Sequence, residues 1–256
     1  VESVPLITAS ILAKKIAAGL DYLVMDIKLG NGAFMESPQR ARELANSIIA
    51  TAGNADLKTH ALITDMNEVL GTTVGNALEI RESMQYLRNE VRESRLDDVV
   101  LSLCAEMVFI SGIEPDRETA RARCEQVVSN GKAAEVFSRM TAALGGPHDF
   151  VDNYDAHLVR APVTRAVHAD GVLTAVNTRA VGNAIIELGG GRQKVGEKLD
   201  FAVGFSDFAS VDRPLAIVHA ASEDDADLAT ANLLKACQTG ETAPEKRAVI
   251  SEILTG

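Results

Sequence analysis

Apolar residues at Leu6, Ile7, Ile11, Leu12 and Ile16 recur at helical spacing behind Glu2, Ser3 and Pro5, and Gly19 closes the run. Lys14 and Lys15 lie in the C-terminal half of that helix, where the backbone dipole favours cations. Leu23–Leu29 (LVMDIKL) is short and β-compatible and leads into Gly30-Asn31-Gly32. Pro38–Ala52 predicts an amphipathic helix and Leu57–Thr64 a second strand. This alternation implies a βαβ unit with a parallel sheet. Four helical patterns follow, at Gly75–Arg88, Asp97–Ile110, Asp116–Val128 and Ala133–Leu144, the last closed by Gly145-Gly146-Pro147. From Pro162 the texture turns β-rich, at 163–169, 171–176 and 215–220, with Arg213-Pro214 ahead of the third run and turn residues at Asp170-Gly171 and Gly189-Gly190-Gly191. A helix at Asp224–Cys237 and a short polar tail complete the pattern. The expected class is α/β: a large domain with a mixed or parallel sheet and helices, plus a β-rich α+β C-terminal subdomain.

Composition narrows the partners. Of 256 residues, 36 are acidic and 25 basic, a formal charge of −11 that argues against a nucleic-acid backbone partner. An apolar share of 46% excludes wholesale disorder. No apolar run approaches the roughly 20 residues of a membrane helix. Three cysteines without CxxC spacing, Cys104, Cys124 and Cys237, read as reduced thiols of a cytoplasmic protein. The five histidines show no HxxH or HExxH pairing, so a histidine metal site is not expected.

Candidate chemistry is sparse. Ile7, Ser10 and Lys14 share one helix face, where a hydroxyl and an ammonium beside an apolar contact suit a flat ligand with polar edges. Spacing alone is more simply read as a solvated lysine and a tolerated serine. Gly30-Asn31-Gly32-Ala33-Phe34 follows a strand, the place where open α/β sheets bind ligands, but it lacks GxGxxG spacing and a Walker lysine. Asp65 or Asn67 stands where a helix N-cap would. Gly189-Gly190-Gly191-Arg192 is read as a hairpin connection within β-rich sequence. Lys194 lacks the surroundings of a carrier lysine.

Taken together, residues 1–15 (VESVPLITASILAKK), 23–35 (LVMDIKLGNGAFM), 62–67 (LITDMN), 74–79 (VGNALE), 130–137 (NGKAAEVF), 189–192 (GGGR) and 203–205 (VGF) resemble the pyrimidine nucleoside phosphorylases, and the likeness is strongest to members that cleave thymidine. The resemblance implies a small helical domain and a large α/β domain with the active site in the cleft between them. It implies reversible phosphorolysis of thymidine to thymine and 2-deoxyribose 1-phosphate, with phosphate as co-substrate, no required cofactor and a homodimeric parent enzyme. It assigns Ser10 and Lys14 to the pyrimidine edge and Ile7 and Phe34 to apolar contact with the ring. It also implies a structural monovalent or divalent cation held through Glu82 and the carbonyls of Leu70 and Thr73.

The family's base-binding arginine, its phosphate-binding segments and most of its helical domain match nothing in residues 1–256, so the resemblance reads the chain as the C-terminal part of such an enzyme, inactive alone. The expected divisions are a remnant helix at 1–18, an α/β portion at 19–159 and the C-terminal subdomain at 160–256. The alternatives are a broader pyrimidine nucleoside phosphorylase, a non-catalytic binding module and a related phosphoribosyltransferase.

Overall fold

The computed structural model describes residues 3–208 and 215–256. Glu2 of the helix start and the Arg213-Pro214 turn lie outside the described residues. In chain order the elements are α1 (Val4–Ala17), β1 (Tyr22–Leu29), α2 (Pro38–Gly53), β2 (Lys58–Asp65), α3 (Asn76–Leu87), α4 (Ser94–Ile110), α5 (Arg117–Ser129), α6 (Lys132–Ala143), α7 (Tyr154–His157), β3 (Val163–Val167), β4 (Val172–Val176), α8 (Thr178–Glu187), β5 (Gly204–Ser206), β6 (Ala216–Ala220), α9 (Glu223–Ala236), β7 (Cys237–Gly240) and β8 (Ile250–Thr255). They form two compact units that interleave along the chain: Val1–Met66 with Asp97–Gln126 and Lys246–Gly256, and Asn67–Leu96 with Val127–Glu245.

The first unit is built on the expected βαβ motif. β1 and β2 pair in parallel from Tyr22↔Lys58 to Leu29↔Asp65, and α2 makes the crossover. Ser37 caps α2 by accepting from the Arg40 N–H, with Pro38 in the first turn. Leu23 and Ile27 of β1, Ala61 and Ile63 of β2 and Ala41, Leu44, Ala45 and Ile48 of α2 form one apolar core. The alternation of strand side chains sends these positions to a single face. Helix α1 adds Val4 and Leu12 to that core, and Thr8, also buried, shares a 2.9 Å hydrogen bond with Ser47 of α2. Gly19, at φ +67°, turns the chain out of α1.

Two expectations fail in this unit. The polar tail is a strand: β8 runs antiparallel to β2 and gives the sheet order β1-β2-β8. Its residues alternate between half-buried and exposed, a period-2 pattern too short and too polar to stand out in the sequence. Asp65 and Asn67 are not at a helix start, because residues 66–75 are loop and the next helix begins at Asn76 after Gly75.

The second unit holds a sheet β3-β6-β5, antiparallel throughout, and a two-stranded sheet β4-β7. Its core gathers Val181, Ala184 and Ile185 of α8, Phe205 of β5, Val218 of β6 and Ala226, Ala229 and Leu233 of α9. The glycine run is not a hairpin. Gly189 N–H donates to Ile186 O and Gly190 N–H to Ile185 O, and Gly189 sits at φ +93°, so the glycines end helix α8. A left-handed residue past the last turn satisfies the carbonyls that a helix end leaves open. α8 itself is a helix that lies between the strand-like runs at 171–176 and 215–220, with Val181, Ala184 and Ile185 forming its buried stripe.

The loop before α3 meets β5 at close range. Val74 and Phe205 exchange two backbone hydrogen bonds, at 2.9 and 2.8 Å, and Phe208 N–H donates to Thr72 O. Phe205 is fully buried. Truncating it to alanine is expected to cost about 3–5 kcal/mol, the range for deleting a buried aromatic ring; urea denaturation followed by circular dichroism checks the value.

Candidate functional site

Helix α1 presents two faces. Val4, Thr8 and Leu12, at i, i+4 and i+8, are buried against the core of the first unit. Ser10 and Lys14 fall on the other side and are exposed, and Ile7 between them is half-buried against the same core. The helix is therefore held by one stripe while it offers a hydroxyl and an ammonium along another. The pattern of burial, not the spacing by itself, separates this face from the packed one.

The loop after β1 is tight. Gly30 N–H donates to Met35 O, Ala33 N–H to Gly30 O and Gly32 N–H to Met66 O, so these amides serve the turn. The turn leaves Phe34 78% exposed in a loop at the carboxyl end of a parallel strand. Ligands of open α/β sheets bind outside that end. Just inside it, Asp26 receives a 2.5 Å hydrogen bond from Thr64 Oγ1 and a 2.7 Å ion pair from Lys28 Nζ. Lys28 and Thr64 are register partners on neighbouring strands, which brings this triplet together. Sequence reasoning passed over it, because its members lie up to 38 residues apart and carry no motif.

Leu70, Thr73 and Glu82 belong to the second unit, and the structure gathers Glu82 onto the loop that follows Leu70. Glu82 Oε1 accepts from the Thr72 backbone N–H at 2.7 Å and from Thr72 Oγ1 at 2.8 Å, and Oε2 accepts from Thr73 Oγ1 at 2.6 Å. A cation shell needs oxygen lone pairs. The groups that meet this carboxylate are donors, and the Thr72 N–H cannot reverse its role. As arranged, these residues do not fit a cation seated on Glu82.

Other polar groups are also paired. His60, on β2, and Glu106, on α4, are buried and meet at 2.5 Å, and Arg117 closes the cluster. His219 Nε2 lies 2.8 Å from Ser206 Oγ. Burial and the nearby Arg81 cation hold His219 below the ordinary histidine range, so it is neutral at pH 7. Among the described residues no group of three or more His, Cys, Asp or Glu side chains could hold a metal ion. The three cysteines are free thiols. Burial raises Cys124 and Cys237, the latter to about 11, which keeps these two protonated and poorly reactive, whereas Cys104 is exposed. Cys237 is expected to alkylate with iodoacetamide far more slowly than a free thiol at pH 8, which mass spectrometry would show.

No helix among the described residues is long and apolar enough to cross a membrane.

Two family models match the chain. One, described as glycosyl transferase family, a/b domain, matches residues 1–134, and the other, pyrimidine nucleoside phosphorylase C-terminal domain, matches residues 172–240. The first spans more than half of the 256 residues and contains α1, the β1–α2–β2 motif and the Phe34 loop. The second begins at β4 and ends with β7. Their pairing in this order indicates pentosyl transfer of the nucleoside phosphorylase type, and the chain belongs to the pyrimidine nucleoside phosphorylase family.

Proposed function

We propose that the protein takes part in the reversible phosphorolysis of thymidine, with α1 supplying recognition of the pyrimidine. Phosphate oxygen attacks the anomeric carbon of the deoxyribose as its bond to the ring nitrogen breaks. The bonding electrons pass into the pyrimidine, whose ring nitrogen takes up the proton that hydrogen phosphate releases, and the products are 2-deoxyribose 1-phosphate and thymine. Charge that develops on the leaving ring is stabilised by donors fixed in place beforehand. In this reading Lys14 and Ser10 are those donors at the ring edge, and Ile7 and Phe34 make apolar contact with its faces. Phosphate is the co-substrate, and a homodimer is the working assembly.

One observation carries the assignment. Burial of Val4, Thr8 and Leu12 anchors α1 so that Ser10 and Lys14 point outward together. Family membership supports the reaction class, and the exposed Phe34 supplies an aromatic surface that the first unit's core does not use.

The test is a titration of the 256-residue chain with thymine, followed by ligand-observed NMR. Hydrogen bonds to a charged group contribute about 1.5–3 kcal/mol, so Lys14→Ala should weaken thymine binding by about 10- to 100-fold. Ser10→Ala should have a smaller effect in the same direction. Uracil titrated in parallel separates thymidine preference from broader pyrimidine use. Unchanged thymine affinity in Lys14→Ala would remove Lys14 from the site.

A further inference from the structure

We infer that Glu82 is an ion-free staple: its carboxylate locks the loop 71–75 onto helix α3 through hydrogen bonds from Thr72 and Thr73, in the place where the family resemblance implies a structural cation. Three features of the second unit support this. First, both carboxylate oxygens are engaged by the loop itself, Oε1 by two donors of Thr72 and Oε2 by the Thr73 hydroxyl. One of those donors is a backbone N–H, which can never serve as a metal ligand.

Second, the carboxylate is packed directly on the chain. Gly71 sits at φ +73°, and a Cβ there would come within 2.6–2.8 Å of all three carboxylate atoms of Glu82. The missing side chain is what lets the carboxylate approach so closely, and on that side no gap of ionic size separates it from the loop. Third, other groups of the same loop are held within the protein as well. Thr72 O accepts from Phe208 N–H, and Glu79, one helical turn before Glu82, accepts from Gly75 N–H at 2.9 Å. Two carboxylates of α3 thus hold the same loop by four donors in all.

The staple has a structural consequence. The same end of α3 carries Asn76, whose side-chain amide donates to Gly190 O, and Ala77, whose N–H donates to Phe201 O. The loop, the start of α3 and the segment from the glycine run to Phe201 are therefore tied together, and Glu82 sits at the root of the arrangement. A carboxylate satisfied by neutral donors needs no counter-ion to keep this geometry, so the loop stays closed whatever the salt.

The experiment is thermal unfolding of the 256-residue chain in potassium, sodium, calcium or tetramethylammonium chloride at one ionic strength, with chelator in the last. A bound cation raises Tm in a saturable way by mass action. For the staple, Tm is expected to agree across the four salts to within about 1 °C, whereas losing one donor should lower it by about 2–4 °C. Thr73→Val, which removes the hydroxyl and keeps the shape, is expected to show that drop equally in every salt. A saturable rise with potassium, sodium or calcium that disappears in Glu82→Gln would overturn the proposal. So would a Thr73→Val variant whose Tm equals that of the parent in all four.

Discussion

Replacing Glu106 with alanine is expected to cost about 3–5 kcal/mol of unfolding free energy, the largest loss for any single polar side chain described above. The carboxylate is 1% exposed. Its Oε1 meets His60 Nδ1 at 2.5 Å and Arg117 Nη2 at 2.8 Å, and its Oε2 meets Arg117 Nε at 2.6 Å. Arg117 also lies over the Phe109 ring, 4.5 Å from its centre. Removing the carboxylate strands a buried imidazole on β2 and takes the bidentate anchor from α5, so the cost is that of unpaired buried groups, not of one hydrogen bond. Urea denaturation at pH 7 measures it, and a loss under about 1 kcal/mol would show that water or a local shift repairs the cluster.

The same cluster predicts acid lability. Burial opposes ionisation of Glu106, but hydrogen bonds from Arg117 and His60 and the charge of Arg117 outweigh it, so its pKa lies below the ordinary glutamate value. A folded pKa that is depressed means that the unfolded chain binds the proton more readily. Its contribution is complete above the ordinary glutamate range and is lost as pH falls through the folded value. Stability of the parent protein should therefore drop on acidification in that window. In Glu106→Gln the slope should flatten by about one proton, read from urea midpoints between neutral and acidic pH. His219 acts in the same direction at a higher pH: its pKa is lowered, so stability begins to fall once pH drops below the ordinary histidine value.

Gly204→Ala is the second substitution with a large expected effect, about 3–5 kcal/mol, from backbone strain together with a broken bridge. Gly204 is at φ +152°, a conformation that L residues rarely adopt. A Cβ there would land on the carbonyl oxygen of Val74, 2.9 Å from Leu78 Cδ1 and 3.0 Å from Gly75 Cα. Neither oxygen nor Cα can swing away as a side chain would, because Val74 O is held by Phe205 N–H at 2.8 Å. The bridge must open, and both of its hydrogen bonds weaken together. Hydrogen exchange at Val74 and Phe205 is the sharpest readout: their amides should lose protection in the variant before the remainder of β5 and β6. Unaltered protection there would show that the loop yields without losing the bridge.

Much of the architecture is legible before any coordinates. The 3.6-residue period of α1, the Ser37-Pro38 start of α2 and the two short apolar strands around it are local signals. Each is written into a dozen residues or fewer, and together they specify a βαβ unit. The stripe of Ile7, Ser10 and Lys14 was visible for the same reason. Flanking β-branched residues hide helix α8, and the glycine run that ends it reads in sequence as a hairpin because helix stops and turns draw on the same residue. The Glu82 staple carried no signal, since a glutamate ten residues from a threonine is an ordinary occurrence.

By itself, then, the sequence determined the class of fold, the order of most elements and the family, while burial in the structure separated the exposed face of α1 from its packed one. The tertiary structure alone decided which distant groups meet. His60 and Glu106 are 46 residues apart and become partners because β2 and α4 belong to the same unit. Asp26 and Thr64 become partners through the parallel register of β1 and β2. The C-terminal residues become a strand because the free edge of β2 offers unpaired N–H and C=O groups that Ile250–Thr255 satisfies. Periodicity and turn chemistry act over one or two turns of chain and survive in a linear reading. Strand register and the pairing of buried polar groups are settled only when the whole sheet forms, where a slip of one residue would send every side chain to the opposite face.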